Sequence, residues 1–292
     1  MGKLTVLDGG LFTSIQDKGR FGFRKYGVPT SGVMDQSAYF LANKLVGNDL
    51  EEPVLECTLK GGKYVFNSDT SIAITGALMR PRINDNAVEM NTVLHVQEGD
   101  VLNLKFAERG CRSYISIRGS WNVPDVMGSL STYVPGNFGG ITGSKLKEGD
   151  EIFWTEIDIE FDTFKSQNDQ IPYYSSKISV DFIPGPEWSL LSKEDQKMFL
   201  SNSFKISSKS NRMGIRLETE YPIKVKATDM SSSGVIPGII QLPPEGKPII
   251  LMRDGQTIGG YPRIGKVLDI HLNRLAQLPP NATVRFSLTS LP

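Results

Sequence analysis

The feature that most limits how this chain can fold is its punctuation: 29 glycines and 17 prolines spread over 292 residues. Proline fixes φ and removes a backbone donor, and glycine supplies left-handed turns, so the segments between them stay short. Many of those segments alternate or are β-branched: 3–7, 63–66, 71–75, 101–106, 113–117, 178–182, 205–208, 223–227, 248–252 and 283–288. Short strands between regular turn signals predict barrels or sandwiches, not a doubly wound parallel sheet. Glu98-Gly99-Asp100 precedes the strand at Val101, and Glu148-Gly149-Asp150 precedes the strand at Glu151. In each, the glycine supplies positive φ between strands.

Helices are expected to be few. Met34, Ala38, Leu41, Ala42 and Leu45 follow helical spacing, with Gly47 as a terminator. Ser192 and Asp195 resemble a capping box with Asp in place of Glu, which predicts a helix to about Leu200. Residues 267–278 read as a strand to Ile270 followed by a helical turn. Residues 158–177 are polar and irregular, and a domain junction is placed there.

The composition excludes several function classes. With 39% hydrophobic and 22% charged residues, the chain fits a folded globular protein rather than a disordered one. Lys plus Arg equals Asp plus Glu at 32 each, so no net field draws the chain to nucleic acid or an anionic membrane. The first ten residues lack the apolar stretch of a signal peptide, and no apolar run approaches the roughly 20 residues of a membrane span. Cys57 and Cys111 sit in strand-like runs without a CxxC context. They read as buried reduced thiols, with a disulfide or a nucleophile as the alternatives. A cytoplasmic protein is expected.

His95 and His271 are the only histidines, and neither has metal-ligand spacing, so no metal site is expected. No G-x-S-x-G elbow occurs. The segment GGITGSK (139–145) fails the phosphate-loop spacing, because Ser144 stands where lysine should follow glycine.

Four polar, glycine-punctuated blocks remain. The first places Gln16, Asp17 and Arg20 around a turn at Gly19. An amide, a carboxylate and a guanidinium can bind a carboxylate or amide substrate, or Asp17 and Arg20 can close the turn as an ion pair. The second runs from Gly27 through Ser31 to Asp35, into the first predicted helix. A helix start can hold an anion; Asp35 can instead offset the helix dipole. The third holds Arg212 and Arg216, four residues apart on a predicted strand and so on one face. Close guanidiniums want an anion between them, unless both are solvated. The fourth begins at Gln241; its apolar strand at 248–252 then delivers Asp254, Gln256 and Thr257, followed by Gly259, Gly260 and Tyr261. Such polar loops on rigid strands are where sites usually lie.

In this order the blocks resemble the KipA-like family, also called the biotin-dependent carboxyltransferase or allophanate hydrolase subunit 2 family. The resemblance is carried by TSIQDKGRFGFRKYGVPTSGVMDQSAYFLANKLVGN (13–48), LECT (55–58), MGSLST (127–132), NRMGIRL (211–217), GVIPGIIQLP (234–243) and the loop at 254–262. It implies a mostly β fold of two cyclophilin-like β-barrel halves, 1–165 and 166–292, with a few short helices. The family includes the C-type subunit of bacterial 5-oxoprolinase, which implies two partners: a KipI-like B-type subunit and a lactam-utilisation-type chain as the A component. That assembly uses ATP to open 5-oxo-L-proline (pyroglutamate) to glutamate, and this chain alone would be inactive. Asp254 is then the candidate base, or orients a water or amide. Gln256 and Thr257 would hydrogen-bond the amide, and Arg212 or Arg20 would hold the carboxylate. Gln16, Asp17, Ser31, Asp35, Arg216, Gln241, Gly259, Gly260 and Tyr261 complete the candidate substrate-binding set. Two alternatives follow from the same resemblance. One is a carboxyltransferase that moves a carboxyl group from biotin to urea or another amide; the biotin would ride on another chain, because no Met-Lys-Met carrier motif occurs here. The other is a non-catalytic regulator that binds a KipI-like inhibitor. The sequence departs from the family pattern at Ser120, Leu130, Ser144, Asn211 and His271, where a glycine, two arginines and two aspartates are usual.

Overall fold

The computed structural model describes residues 1–157, 172–225 and 230–289. Most of the predicted junction at 158–177, and with it the expected boundary at 165/166, lies outside the described residues. The fold falls into two compact units. The first is Met1–Arg20 with Ser31–Tyr174, and the second is Phe21–Thr30 with Ser175–Pro292. Mostly β with a few short helices is the class observed.

The first unit holds two sheets. A seven-stranded sheet is ordered Ser120–Trp121, Glu151–Thr155, Gly2–Asp8, Lys63–Phe66, Val101–Asn103, Arg82–Ile83, Asn86–Ala87. A five-stranded sheet is ordered Phe12–Gln16, Val54–Thr58, Arg109–Ile117, Thr70–Leu78, Val93–Val96. Alternation explains how they meet. Leu4, Val6, Tyr64, Phe66, Ile152 and Trp154 of the first sheet share one buried core with Ile15, Leu55, Ile72, Ile74, Ile115 and Ile117 of the second. The strand Arg109–Ile117 is buried at nearly every position because its other face is also covered. Its cover is helix α1 (Gln36–Leu45), whose Ala38, Tyr39 and Ala42 pack on Val54 and Tyr114. Asp35 caps α1 by accepting from the N–H groups of Ser37 and Ala38 at 3.1 and 3.2 Å, and Gly47 follows it with φ +69°.

Both Glu-Gly-Asp turns form as expected. Gly99 and Gly149 have φ of +90° and +86°. In each turn the aspartate carboxylate accepts a backbone N–H three residues back, from Gln97 and from Lys147, both at 2.9 Å.

The second unit is a closed barrel, ordered Lys177–Pro184, Arg263–Val267, Ile239–Gln241, Ile249–Leu251, Gly214–Glu218, Phe204–Ile206, Thr283–Leu288. Closure is completed by a parallel pairing of Lys177–Pro184 with Thr283–Leu288, so the barrel has no free edge. Helix α2 (Lys193–Ser201) buries Phe199, which stacks on Phe286 at 4.6 Å and meets Phe182 edge-on at 5.4 Å. Ser192 caps α2 through the Asp195 N–H at 3.0 Å. The box is not reciprocal: the shorter Asp195 side chain takes the Ser192 hydroxyl and the Lys224 N–H instead of the Ser192 N–H.

Two expectations need correction. Residues 223–225 form no strand beyond one isolated bridge at Val225, and 226–227 lie outside the described residues. The N–H groups of Ile223 and Lys224 go instead to the Gly246 carbonyl and the Asp195 carboxylate. The strand expected to reach Ile270 stops at Val267. A 3-10 turn at Asp269–His271 leads into helix α3 (Leu272–Ala276), with Lys266 clasping Asp269 at 2.7 Å.

One clasp in this unit makes it acid-sensitive. Glu187 accepts from Arg263 Nε, Nη2 and backbone N at 2.8–2.9 Å, and these bonds hold its carboxyl below the ordinary 4.5. A carboxylate depressed in the folded state adds stability above its unfolded value and loses it as pH falls through the folded value. The melting temperature should therefore decline as pH drops below about 4.5, and Glu187→Gln should flatten that decline in melts recorded across the acid range.

Candidate functional site

The candidate residues fall into two separate groups, one in each unit. In the first unit, the block 13–20 is buried rather than presented. Asp17 is 5% exposed, and its carboxylate accepts from the N–H groups of Gly19 (2.8 Å) and Leu130 (2.6 Å) and from the hydroxyls of Ser129 (2.7 Å) and Ser131. It does not close the turn as a pair with Arg20. Arg20, fully buried, donates to the carbonyls of Val126 (2.9 Å) and Ser131 (2.6 Å) and lies 4.9 Å over the Phe138 ring. Gln16 donates to the Ser14 hydroxyl and the Thr132 carbonyl. These three side chains lock the segment 126–132 onto the strand Phe12–Gln16. A carboxylate already accepting four hydrogen bonds has little capacity left for a substrate.

Ser31 and Asp35 are likewise internal. Asp35 occupies the first donors of α1 with its own carboxylate and also accepts from the Tyr174 hydroxyl at 3.1 Å, so the helix start is filled rather than open to an anion. Ser31 is buried with φ +55°. The next residue, Gly32, approaches Gly19 so closely that a Cβ would lie 2.8 Å from its nitrogen. Glu56 fixes this loop from below, accepting the Met34 N–H at 2.7 Å and facing Arg112 at 3.7 Å, with both side chains buried. Sequence reasoning quoted Glu56 and Ser129–Thr132 as motif residues without giving them this clasping role, and Arg112 carried no signal.

In the second unit, Arg212 and Arg216 do not share a face. Arg212 precedes the strand Gly214–Glu218 and turns inward, 6% exposed. It meets Asp254 in a bidentate pair, Nε to Oδ2 at 2.9 Å and Nη2 to Oδ1 at 3.1 Å, and the Asp254 N–H donates to the Arg212 carbonyl at 2.9 Å. Arg216 is exposed. The Asp254 loop is thereby pinned to the segment before Gly214. Beyond it, the Thr257 carbonyl accepts the Val235 N–H, and Ile258–Gly259 pairs with Ser233–Gly234.

Gln241, Gln256, Arg216 and Tyr261 come together on a pocket of about 410 Å³. Its floor is the outward face of the barrel, with Gly214, Arg216 and Glu218 alternating beside Ile249 and Leu251. Gln256 Nε2 donates to Gln241 Oε1 at 2.9 Å. Lys209 and Lys247 add positive charge to the walls and Glu245 adds negative charge, and Lys247 pairs with Glu218. Neither lysine was singled out in the sequence, because isolated surface lysines carry no pattern. Arg212, Asp254, Thr257, Gly259 and Gly260 frame this region without lining the pocket.

The remaining chemistry is quiet. Both cysteines are buried and free, and burial pushes each thiol above its ordinary range, away from the nucleophilic thiolate. Among the described residues, no group of His, Cys, Asp and Glu could hold a metal, and no helix is long and apolar enough to cross a membrane. Asn211 accepts the N–H groups of Met213 and Gly214, a turn that an aspartate would also close. His271 pairs with Asp181 at 3.1 Å. Leu130 packs against the first unit's core, where a charge would be out of place.

Residues 26–288 match the profile of the family described as carboxyltransferase domain, subdomain A and B. The chain belongs to this carboxyltransferase-domain family. The C-type subunit of Escherichia coli K12 5-oxoprolinase is 37% identical, over 99% of this chain and 92% of that one. Its Haemophilus influenzae counterpart, of the same name, is 32% identical over the same shares. Among solved structures, Kluyveromyces lactis urea carboxylase superposes with a TM-score of 0.93 at 32% identity, over 99% of this chain. This carboxyltransferase-domain chain spans 27% of that structure.

Proposed function

We propose that this chain is the C-type subunit of an ATP-dependent 5-oxoprolinase that opens 5-oxo-L-proline to L-glutamate. The observation that carries the reading is reciprocal coverage: the match takes in nearly all of this chain and nearly all of its E. coli 5-oxoprolinase relative. A relative named as one subunit of an enzyme supports the need for partners. A KipI-like B-type subunit and a lactam-utilisation-type A component are the ones proposed, with ATP used by the assembly. A lactam amide is stabilised by resonance, which accounts for the need for an activating nucleotide.

The second unit's pocket supports a substrate of this kind, since paired amides and cations suit a carbonyl and a carboxylate. Within the proposal, Gln256 holds the Gln241 amide that faces the substrate. Arg212 and Asp254 satisfy each other, so Asp254 serves to hold the loop rather than to act as a base. Co-expression with the KipI-like and lactam-utilisation-type partners tests the reading. Glutamate should be released from 5-oxo-L-proline only when ATP and all three chains are present. A complete mixture that hydrolyses no ATP in response to 5-oxo-L-proline would overturn it.

The likeness to K. lactis urea carboxylase favours a second reading, a carboxyltransferase component acting on urea or another amide. It requires a biotin carboxylase and a biotinylated carrier. Carboxylation of urea by that mixture, with 5-oxo-L-proline left unconsumed by the first, would put this reading in its place.

A further inference from the structure

The pocket on the barrel's outer face contains a donor that the fold does not use. Gln241 is 1% exposed, yet its Nε2 has no hydrogen-bond partner among the described residues. Its Oε1 is taken by Gln256 Nε2 at 2.9 Å, and the donor end is left over. Turning the Gln241 amide alone would bring two NH2 groups together and lose that bond. A buried N–H without an acceptor is unfavourable and uncommon in native proteins.

Gly259 accommodates that amide. Its backbone is not left-handed, so its conformation does not call for glycine. A Cβ there would lie 2.5 Å from Gln241 Nε2. What glycine supplies is room for the Gln241 amide to pack against the backbone.

Arg216 adds a second unused group. It stands on the pocket floor with no side-chain partner among the described residues, whereas neighbouring Lys247 is neutralised by Glu218. A guanidinium open to a pocket is suited to a carboxylate, which it can hold in two parallel bonds. The volume of about 410 Å³ falls within the roughly 300–1,000 Å³ usual for small-molecule sites.

We propose that this pocket binds a small carboxylate bearing an amide carbonyl. Arg216 holds the carboxylate, and Gln241 donates from Nε2 to the carbonyl oxygen. Gln256 is a positioning residue that fixes the Gln241 amide. Gln241 sets specificity, because a ligand without the carbonyl leaves a buried donor unpaired. The choice of lactam probe rests on the 5-oxoprolinase reading; the residue assignments do not depend on turnover.

The test is binding to the full chain by calorimetry or by amide chemical-shift changes, with three probes: 5-oxo-L-proline, L-proline, which lacks the carbonyl, and 2-pyrrolidone, which lacks the carboxylate. The lactam acid should bind at least about tenfold more tightly than either analogue, the ratio expected for one lost contact of this kind. Arg216→Gln, at an exposed position that folding does not need, should abolish the preference over 2-pyrrolidone and keep the preference over L-proline. Gln241→Glu, close in shape, should do the reverse, and a thermal melt shows that each variant is folded. Equal affinity for the three probes, no saturable binding, or preferences unchanged in both folded variants would overturn the assignment. If the assembled enzyme still turns over ATP and lactam in that event, the pocket is retired and the proposed function stands. If the binding pattern holds while the complete assembly is inactive, the reverse applies.

Discussion

Asp254→Ala should destabilise the second unit by about 3–5 kcal/mol, the range for removing one partner of a buried ion pair. Arg212 and Asp254 are 6% and 3% exposed, and two parallel hydrogen bonds join them. Removing the carboxylate leaves a guanidinium that cannot lose its proton in a site shielded from water. The loss should appear as a lower urea midpoint with an unchanged slope. Replacing both partners, Arg212→Met with Asp254→Leu, should recover most of it, because the desolvation penalty leaves with the charges. If Asp254→Ala unfolds at the parent's midpoint, Arg212 has found water and the pair is not a structural pin. Loss of activity in Asp254→Ala therefore does not by itself identify a catalytic carboxylate; the midpoint must be measured alongside it.

The second large effect is expected at Asp17. Asp17→Ala withdraws the acceptor from the Gly19 and Leu130 N–H groups and from the hydroxyls of Ser129 and Ser131. Hydroxyls can rotate to new partners, but backbone N–H groups cannot, and each buried donor left without an acceptor costs about 1–3 kcal/mol. A total near 4 kcal/mol is expected on that basis, with Asp17→Asn recovering part through its remaining carbonyl oxygen. Hydrogen exchange gives the local readout: the amides of Gly19 and Leu130 should lose protection in Asp17→Ala before the Arg109–Ile117 strand does. Equal protection in parent and variant would mean that the segment 126–132 is held without the Asp17 carboxylate.

These two sites show where the sequence was legible and where it was not. Helix α1 was readable because its apolar spacing and its terminating glycine lie within a short window, whereas Asp35, read as a first-turn carboxylate, is its cap. The Glu-Gly-Asp turns were readable for the same reason, since the whole device occupies four residues. Residues 223–225 misled because β-branching marks a strand only if a neighbouring strand accepts its N–H groups, and here a loop glycine carbonyl and the Asp195 carboxylate take those of Ile223 and Lys224. The block around Asp17 read as a turn that binds substrate or closes on an Asp17–Arg20 ion pair. The groups that bury it lie more than 100 positions away, at 126–132, and no local pattern announces them. Asp254 was singled out as a candidate base and Arg212 as a holder of the substrate carboxylate, yet 42 positions separate them and their mutual satisfaction is a tertiary fact. The family resemblance bridged some of this distance, because it joined the blocks before their contacts were known, but it could not distinguish a clasp from a binding site.

The segment Phe21–Thr30 has a further consequence. It packs with the second unit, where Arg24 donates to the Val235 carbonyl, although the chain on either side belongs to the first. Neither unit is therefore a continuous stretch of chain. During synthesis these ten residues leave the ribosome long before the rest of their unit exists, so the barrel cannot be completed until the C-terminal half has emerged. In evolution, a gene break at the junction would strand the segment on the wrong product. Such a chain is best inherited whole, and the near-complete match within the much longer K. lactis urea carboxylase is how a module of this kind would travel.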